Sequence, residues 1–502
     1  MRLHCLLIVL LLITGQKASH AQDISNKRSP FEPALKASSE IPKGEVLPFA
    51  FNHSKIYPGT SRSYWIYIPA EYKPTQPACL YVCMDGVAFN APTVFDYLIS
   101  KKEMPVTIGV FIQSGAIKKN DSVVIRYNRT NEFDNMNDRF ARFIEEEILP
   151  DVIKQKATDG RAINISVNAN DHAIAGLSSG AICAFTAAWQ RPDLFSRVFS
   201  AIGTYIGMRG GDQYPVLIRK TEPKSIRVYL QDNNNDSWNP LFGNWFKSNI
   251  DMEAALNFAG YEVANTWNEG GHDGHQATDI FADAMRWLWK GWPEPVKTGW
   301  SANDMLSEII DSTDHWKDTT NGQVLRTNNS VTLPGGNQYI SYGGSIGYRV
   351  KNKTITVDKD PNLGNAIEIS PDKLQLVVSV KHSHWLYNYI VQPDGSLIDK
   401  QTLYWLHNPG NNDSSEVNSL AFDTDGNLYA ATEMGVQVCD QNGRVRAILS
   451  LPAGAITDIW FGGEKMDTLF VTCKNKLYKR KLKVTGIRSE QKAVIPKPQG
   501  GG

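Results

Sequence analysis

The sequence predicts an α/β domain built on a largely parallel sheet, followed by a smaller all-β module of repeated strand units. Two observations carry this reading. Between about residues 46 and 292, short apolar runs of strand character alternate with longer segments of helical spacing. After the proline-containing stretch "GWPEPVKTG" (291–299), helical spacing largely disappears and turn–strand–turn–strand units recur. A chain of 502 residues is long enough for both parts.

In order, "RSYWIYIPAEY", "ACLYVCMDG" and "VTIGVFIQSG" read as strands, and "NDRFARFIEEEILPDVIK" has helical spacing. "HAIAG" is a strand, "GAICAFTAAWQRPDLF" a helix, and "RVFSAIGTY" and "SIRVYLQD" are strands. "NWFKSNIDMEAALNFAG" is a helix whose stop signal is Gly260, "EVANTWNEG" a strand, and "DIFADAMRWLWKGW" an amphipathic helix that closes the domain. In the second module, "SPDKLQLVVSVKHSHWLYNYIVQPDGSL", "DTDGNLYAATEMGVQVCDQNGRVRAIL" and "GGEKMDTLFVTCKNKLYKRKL" share one pattern. They start 53 and then 39 residues apart, a spacing suited to propeller blades. "GGNQYISYGGSIGYRVKNKTITV" is a weaker, earlier copy.

The first 21 residues carry Arg2, an apolar run from Cys5 to Ile13, and small residues at Ser19 and Ala21, the pattern of a secretory signal peptide cut after Ala21. Nine apolar residues are too few to span a bilayer. The expected plan is therefore signal peptide 1–21, a loose polar leader 22–45, the α/β domain 46–292, a linker 293–302, the β module 303–487 and a disordered tail 488–502. The expected product is exported to the periplasm or medium.

With 52 basic and 52 acidic residues, the chain offers no basic excess to hold nucleic acid or an anionic membrane. Five cysteines follow the leader, an odd number, and Cys79 and Cys83 sit ~13 Å apart on an extended strand, too far to bridge. They read as buried apolar residues rather than a disulfide framework or metal site, with a Cys439–Cys473 bridge left open.

The chemistry centres on "AIAGLSSGAICAF". Ser178 stands between Gly176 and Gly180, after a strand and before a helix, where a sharp turn lifts a hydroxyl clear of the sheet. Ser179 then offers an unpaired helix-start N–H, and Gly86 or Val87 in "CMDGVAF" a second amide, for a developing oxyanion. A serine needs a base. His53 lies upstream of the sheet and His172 at the far end of the nucleophile strand, so His272 in "NEGGHDGHQ" is the candidate, with His275 its rival. The base needs a carboxylate. "IRVYLQDNNNDSWN" offers Asp236, which reaches further over the sheet edge, and Asp232, which would cap the strand. Trp238 in the same segment is a candidate substrate contact.

"CMDGVAF", "RYNRTNEFDNMNDRFARFIEEEILP", "AIAGLSSGAICAF", "VYLQDNNND" and "EGGHDGHQATDIFADAMRWLW" resemble the esterase D-like group. That group holds the siderophore esterases of enterobactin type and carbohydrate esterase family one, the feruloyl and acetyl-xylan esterases. The resemblance implies an α/β-hydrolase fold with Ser178 as nucleophile, His272 as base and Asp236 as acid, and no cofactor. It also places Arg129 and Glu132 near substrate, with a structural Arg–carboxylate pair the alternative.

"NSLAFDTDGNLYAATEMGVQVCDQNGRV" and "FGGEKMDTLFVTCKNKLYKRKLKV" resemble the senescence marker protein/gluconolactonase family, a six-bladed propeller that binds a divalent metal through Glu, Asn and Asp. Here Asn365 fits the Asn position, Asn418 stands at the Asp position, and the Glu has no counterpart, so a propeller-like module without lactonase chemistry is expected. Trp385, Tyr387 and Tyr389 are sugar-stacking or core residues.

The expected function is a secreted carboxylesterase acting on feruloyl or acetyl groups of polysaccharides such as xylan. The alternatives are a siderophore esterase, a non-catalytic glycan-binding protein with a vestigial triad, and a metal lactonase in the second module.

Overall fold

The computed structural model describes residues 41–120, 123–221, 223–297, 305–320, 329–407, 416–451 and 454–498. The expected signal peptide, most of the leader and the far end of the linker lie outside the described residues.

The first domain is an eight-stranded sheet in the order β1-β2-β4-β3-β5-β6-β7-β8. Its strands are β1 (Glu45–Phe51), β2 (Arg62–Ile68), β3 (Cys79–Met84), β4 (Thr107–Ile112), β5 (His172–Leu177), β6 (Arg197–Ala201), β7 (Arg227–Asn233) and β8 (Glu262–Asn268). β1–β2 and β2–β4 pair antiparallel and the remaining pairs are parallel. This is the α/β-hydrolase arrangement that the sequence predicts.

The strands read as near-continuous apolar runs because both faces are covered. In β3 the side chains alternate. Leu80, Val82 and Met84 enter one core with the helix α2 (Ser179–Gln190). Cys79, Tyr81 and Cys83 enter the other with α1 (Ala91–Ser100) and α4 (His275–Trp289). α3 (Trp245–Phe258) lies on the α2 side and ends before Gly260, whose φ is +71°. The segment 139–152 is helical but contains a π turn at Ile144–Ile148. A hairpin, Ala116–Asn120 with Val123–Tyr127, extends from β4.

The second part forms four antiparallel sheets, a four-blade propeller-like arrangement. The first spans Ser330–Thr332 to Lys353–Lys359, the second Leu363–Ile369 to Leu397–Trp405, the third Leu420–Asp423 to Val445–Leu449, and the fourth Ile456–Gly462 to Lys476–Lys481. Leu363–Ile369, Leu420–Asp423 and Ile456–Gly462 each pack on the sheet before. Lys317–Asp318, ahead of the first sheet, pairs with the last strand of the fourth.

One expectation, the disordered tail, changes, and two open readings, for the cysteines and Tyr389, close. All five described cysteines are free and buried, so Cys439 and Cys473 are not bridged. The start of the linker is docked, with Val296 and Lys297 N–H groups bound to Asn170 and Glu262. The described part of the tail also lies along the β module, where Val494 N–H meets the Pro371 carbonyl and the Lys497 carbonyl accepts from Gln441. Tyr389 is core, buried and bonded to Asp358.

The two parts meet where the buried His407 places Nε2 2.6 Å from the Lys220 carbonyl. Burial pushes this imidazole down to about 3, so the folded protein holds it neutral. An unfolded histidine titrates near ~6.5, so this stabilisation is present above that pH and is lost as pH falls toward 3. Thermal melts between pH 7 and pH 4 should show Tm falling by several degrees, with a shallower fall in His407→Gln.

Candidate active site

β5 ends at Leu177 and α2 begins at Ser179, so Ser178 carries the whole change of direction, with φ 55° and ψ −118°. A non-glycine residue adopts such a conformation only when its surroundings enforce it. A Cβ on Gly176 would lie 2.2 Å from the Gly180 carbonyl oxygen, and one on Gly180 would lie 3.0 Å from Asp85 Oδ2. The first approach, to backbone, requires glycine at 176, and the second leaves a larger residue at 180 room only if Asp85 shifts. The Ser178 N–H bonds to the Ala201 carbonyl, and its own carbonyl accepts from Ala181 and Ile182.

The half-buried Ser178 Oγ lies 2.9 Å from His272 Nε2, and His272 Nδ1 lies 2.6 Å from Asp236 Oδ1. The carboxylate accepts the Nδ1 proton, which leaves the Nε2 lone pair facing the serine hydroxyl. The Asp236 side chain is fully buried while the imidazole is 28 % exposed, so an incoming ester reaches the serine and base but not the acid.

The asparagine run after β7 ties this acid to the histidine loop. Asn233 Nδ2 donates to the Gly271 carbonyl, Asn234 N–H to Asn268, and Asn235 N–H to Gly270. Asp236 then closes a turn back to Asn233, and its Oδ1 also accepts the Ser237 N–H. Burial pushes the Asp236 carboxyl up, but His272, Asp232 and the Ser237 N–H outweigh it and hold it below the usual range. Asp232 is not the imidazole's partner. It is fully buried, with oxygens accepting from Asn233 N–H and Asn249 Nδ2. His275 opens α4 exposed to solvent, and its N–H is bound to Asp273. His172 is buried between the Leu194 and Ser166 carbonyls, and His53 packs on Phe51.

Two residues join the site that the motifs do not single out. Thr204 Oγ1 is 3.1 Å from Ser178 Oγ, and Trp245 Nε1 donates to the same Thr204 oxygen at 3.3 Å. An indole N–H only donates, so the threonine proton is free to point at Ser178 Oγ, which turns the serine proton toward His272. The Trp245 ring stands 5.8 Å from the imidazole, edge to face. Trp245 shows in the sequence only as the start of a helix, and a lone threonine after a strand carries no signal.

The loop after β3 is the expected second oxyanion donor. Asp85 and Gly86 both have positive φ, which turns the chain sharply over the sheet edge. Arg129 holds Asp85 through two bonds of 2.8 and 2.7 Å and reaches the Leu177 carbonyl at 3.2 Å. One guanidinium thereby ties the Gly86–Val87 loop to the residue before Ser178. Ser179 opens α2, where its N–H has no acceptor within the helix.

Glu132 does not meet the substrate-side expectation. It is 1 % exposed and pairs with Arg62 at 2.7 and 3.0 Å, accepting also from Gly115 N–H and Asn128 Nδ2. The motif is split: Arg129 faces the site and Glu132 is structural. Trp238 lies on the small hairpin Trp238–Asn239/Gly243–Asn244, 67 % exposed, outside the bonded cluster.

In the second module, Asn365 and Asn418 do line one cavity of about 500 Å³, with Glu416, Lys381 and His382. Among the described residues no group of three His, Cys, Asp or Glu side chains gathers there or elsewhere. One carboxylate with two amides and a lysine is a poor set for a divalent cation, which prefers several anionic oxygens.

Residues 56–309, just over half the chain, match the family described as "Putative esterase". The chain belongs to this esterase family. Residues 319–475 of the esterase also match the SMP-30/gluconolactonase/LRE-like region. A comparison with curated proteins returned no match. Among solved structures, a ferulic acid esterase is 15 % identical with a TM-score of 0.38, over 50 % of this chain and 99 % of that one. The ferric enterobactin esterase of Salmonella typhimurium is 19 % identical with a TM-score of 0.38, over 50 % of this chain and 60 % of its own. A feruloyl esterase module from Clostridium thermocellum complexed with sinapinate is 11 % identical with a TM-score of 0.38, over 54 % and 96 %.

The two charges of the split motif should separate on substitution. Glu132→Ala leaves Arg62 buried and unpaired and should cost about 3–5 kcal/mol of stability in denaturant melts. Arg129→Ala should leave the melt nearly unchanged but lower kcat on a simple ester about 10²-fold, as for a lost oxyanion donor.

Proposed function

We propose that the protein is an exported serine carboxylesterase that removes feruloyl or acetyl groups from plant cell-wall polysaccharide such as xylan. The continuous chain Ser178–His272–Asp236 carries the chemical part of this reading. Ser178 Oγ attacks the ester carbonyl as His272 Nε2 takes its proton. The amides of Ser179 and of Gly86 or Val87 hold the oxyanion. The imidazolium, steadied by Asp236, returns the proton to the leaving alcohol and leaves an acyl-enzyme. Water then attacks the acyl carbon, giving its proton to His272, and Ser178 is released with the carboxylic acid.

The surroundings support a neutral, extended substrate. A cavity of about 380 Å³ beside Asp85 is lined by Gln113, Ser114, Lys118 and Tyr127, with Tyr127 76 % exposed on its hairpin. Hydroxyl and amide groups suit sugar hydroxyls, and an open aromatic ring suits stacking on a sugar face or a feruloyl ring. A ferric catecholate is strongly anionic and needs unpaired cations. Here Arg129 is neutralised by Asp85 and Arg62 by Glu132, which leaves Lys118 as the cation of that lining, too little positive charge for a ferric catecholate, and this favours the polysaccharide ester over the siderophore.

The test is a panel of methyl ferulate, acetylated xylan, feruloylated oligosaccharide, nitrophenyl acetate and a catecholate triester. Activity should be highest on a feruloyl or acetyl polysaccharide ester, and Ser178→Ala should lose at least ~10⁴-fold in kcat on every ester that is cleaved. Tyr127→Ala should raise KM severalfold on the oligosaccharide and leave nitrophenyl acetate unchanged. Inactivity of the parent on the whole panel contradicts the proposal, and preference for the triester replaces its substrate.

A further inference from the structure

A second carboxyl lies beside the acid of the site. Asp232, near the end of β7, is fully buried, with Oδ1 accepting the Asn233 N–H and Oδ2 the Asn249 Nδ2–H, each at 2.7 Å. Asp236 is also closed to solvent. Its Oδ1 serves His272 and the Ser237 N–H, whereas its Oδ2 is buried and meets no N–H or O–H donor among the described groups. The Asp232 and Asp236 carboxyls are neighbours, close enough for each to act on the other's charge. Two carboxylates so close, away from water, cannot both be ionised, and a bond between them requires a proton.

We propose that Asp232 is a protonated positioning residue that donates its O–H to Asp236 Oδ2, so that the acid facing His272 is a carboxyl pair with one negative charge. The charge belongs on Asp236, because the imidazole and the Ser237 N–H both face it. The proton belongs on Asp232, the deeper of the two. Burial, and then the neighbouring Asp236, push the Asp232 carboxyl far above the usual range. The titratable group facing the pair is His272, from the loop after β8. Asn233 on β7, Asn249 on α3 and Ser237 are neutral neighbours. The donated proton satisfies the otherwise orphaned Oδ2 and fixes the carboxylate plane, which aims Oδ1 at Nδ1.

This inference rests on the Ser178–His272–Asp236 reading, so the test needs one readout besides activity. Infrared difference spectra of the full chain at neutral pH should show a protonated-carboxyl carbonyl band that Asp232→Asn removes. In kinetics on nitrophenyl acetate, Asp232→Asn keeps a donor toward Asp236, and kcat should stay within about threefold with the pH profile of kcat/KM superimposable on the parent's. Asp232→Ala, if its melt stays cooperative, should lose about tenfold or more in kcat at unchanged KM. Absence of the infrared band overturns the proposal even if the Ala variant fails to fold. So does an Asp232→Asn profile whose acid limb moves by about one pH unit or more, the sign of a lost second negative charge. A parent with the band but without ester hydrolysis contradicts the hydrolase reading and leaves the proton assignment standing.

Discussion

Ser178 is held at a backbone conformation that a free serine avoids, and the geometry of the site follows from how it is held there. Its N–H is committed to β6 and its carbonyl to the first turn of α2, so the hydroxyl emerges at the sheet edge and cannot relax into the strand. The cost of that turn is met by side chains that are missing. Gly176 leaves room for the Gly180 carbonyl, and Gly180 leaves room for Asp85. Asp85 in turn anchors to Arg129, so the strained turn and the loop opposite it form one bonded unit.

The remaining parts extend that unit across neighbouring strands. β7 delivers the asparagine run, which bonds to the loop after β8 residue by residue and sets the distance between Asp236 and His272. β6 delivers Thr204, and α3 delivers Trp245 to the same oxygen. Four consecutive strand ends of the parallel part of the sheet thus converge on one hydroxyl, as expected where parallel strands end and their loops meet. Arg129 and Arg62 are paired within the protein, so the open face is lined mainly by neutral polar and aromatic groups, together with Lys118.

Much of this was legible in the sequence. Buried parallel strands are long apolar runs, the nucleophile turn is marked by two glycines, and β3, β5 and β7 follow their segments closely. Ser178, Asp236 and His272 could be named because a turn, a strand end and a pre-helix loop each leave a local signature. The triad partners, moreover, must come in one chain order. The rest depends on distance in space. Nothing in "RTNEFD" says that Arg129 faces the site while Glu132 meets Arg62, because that choice is made by β2, some seventy positions earlier. Thr204 and Trp245 become partners only once β6 and α3 pack. In the second module the repeats were visible as turn and strand patterns, whereas nothing local shows that Cys439 and Cys473 are buried in separate apolar clusters and free.

The central claim is that one activated hydroxyl, raised at residue 178 and deprotonated by His272, makes this protein a hydrolase. Its most direct test is covalent labelling of the intact protein with a fluorophosphonate, read by intact and peptide mass spectrometry with time. A single adduct on the peptide containing Ser178, formed quickly in the parent and very slowly in His272→Ala, is the result this structure requires. Labelling elsewhere, none at Ser178, or an equal rate without the imidazole contradicts it.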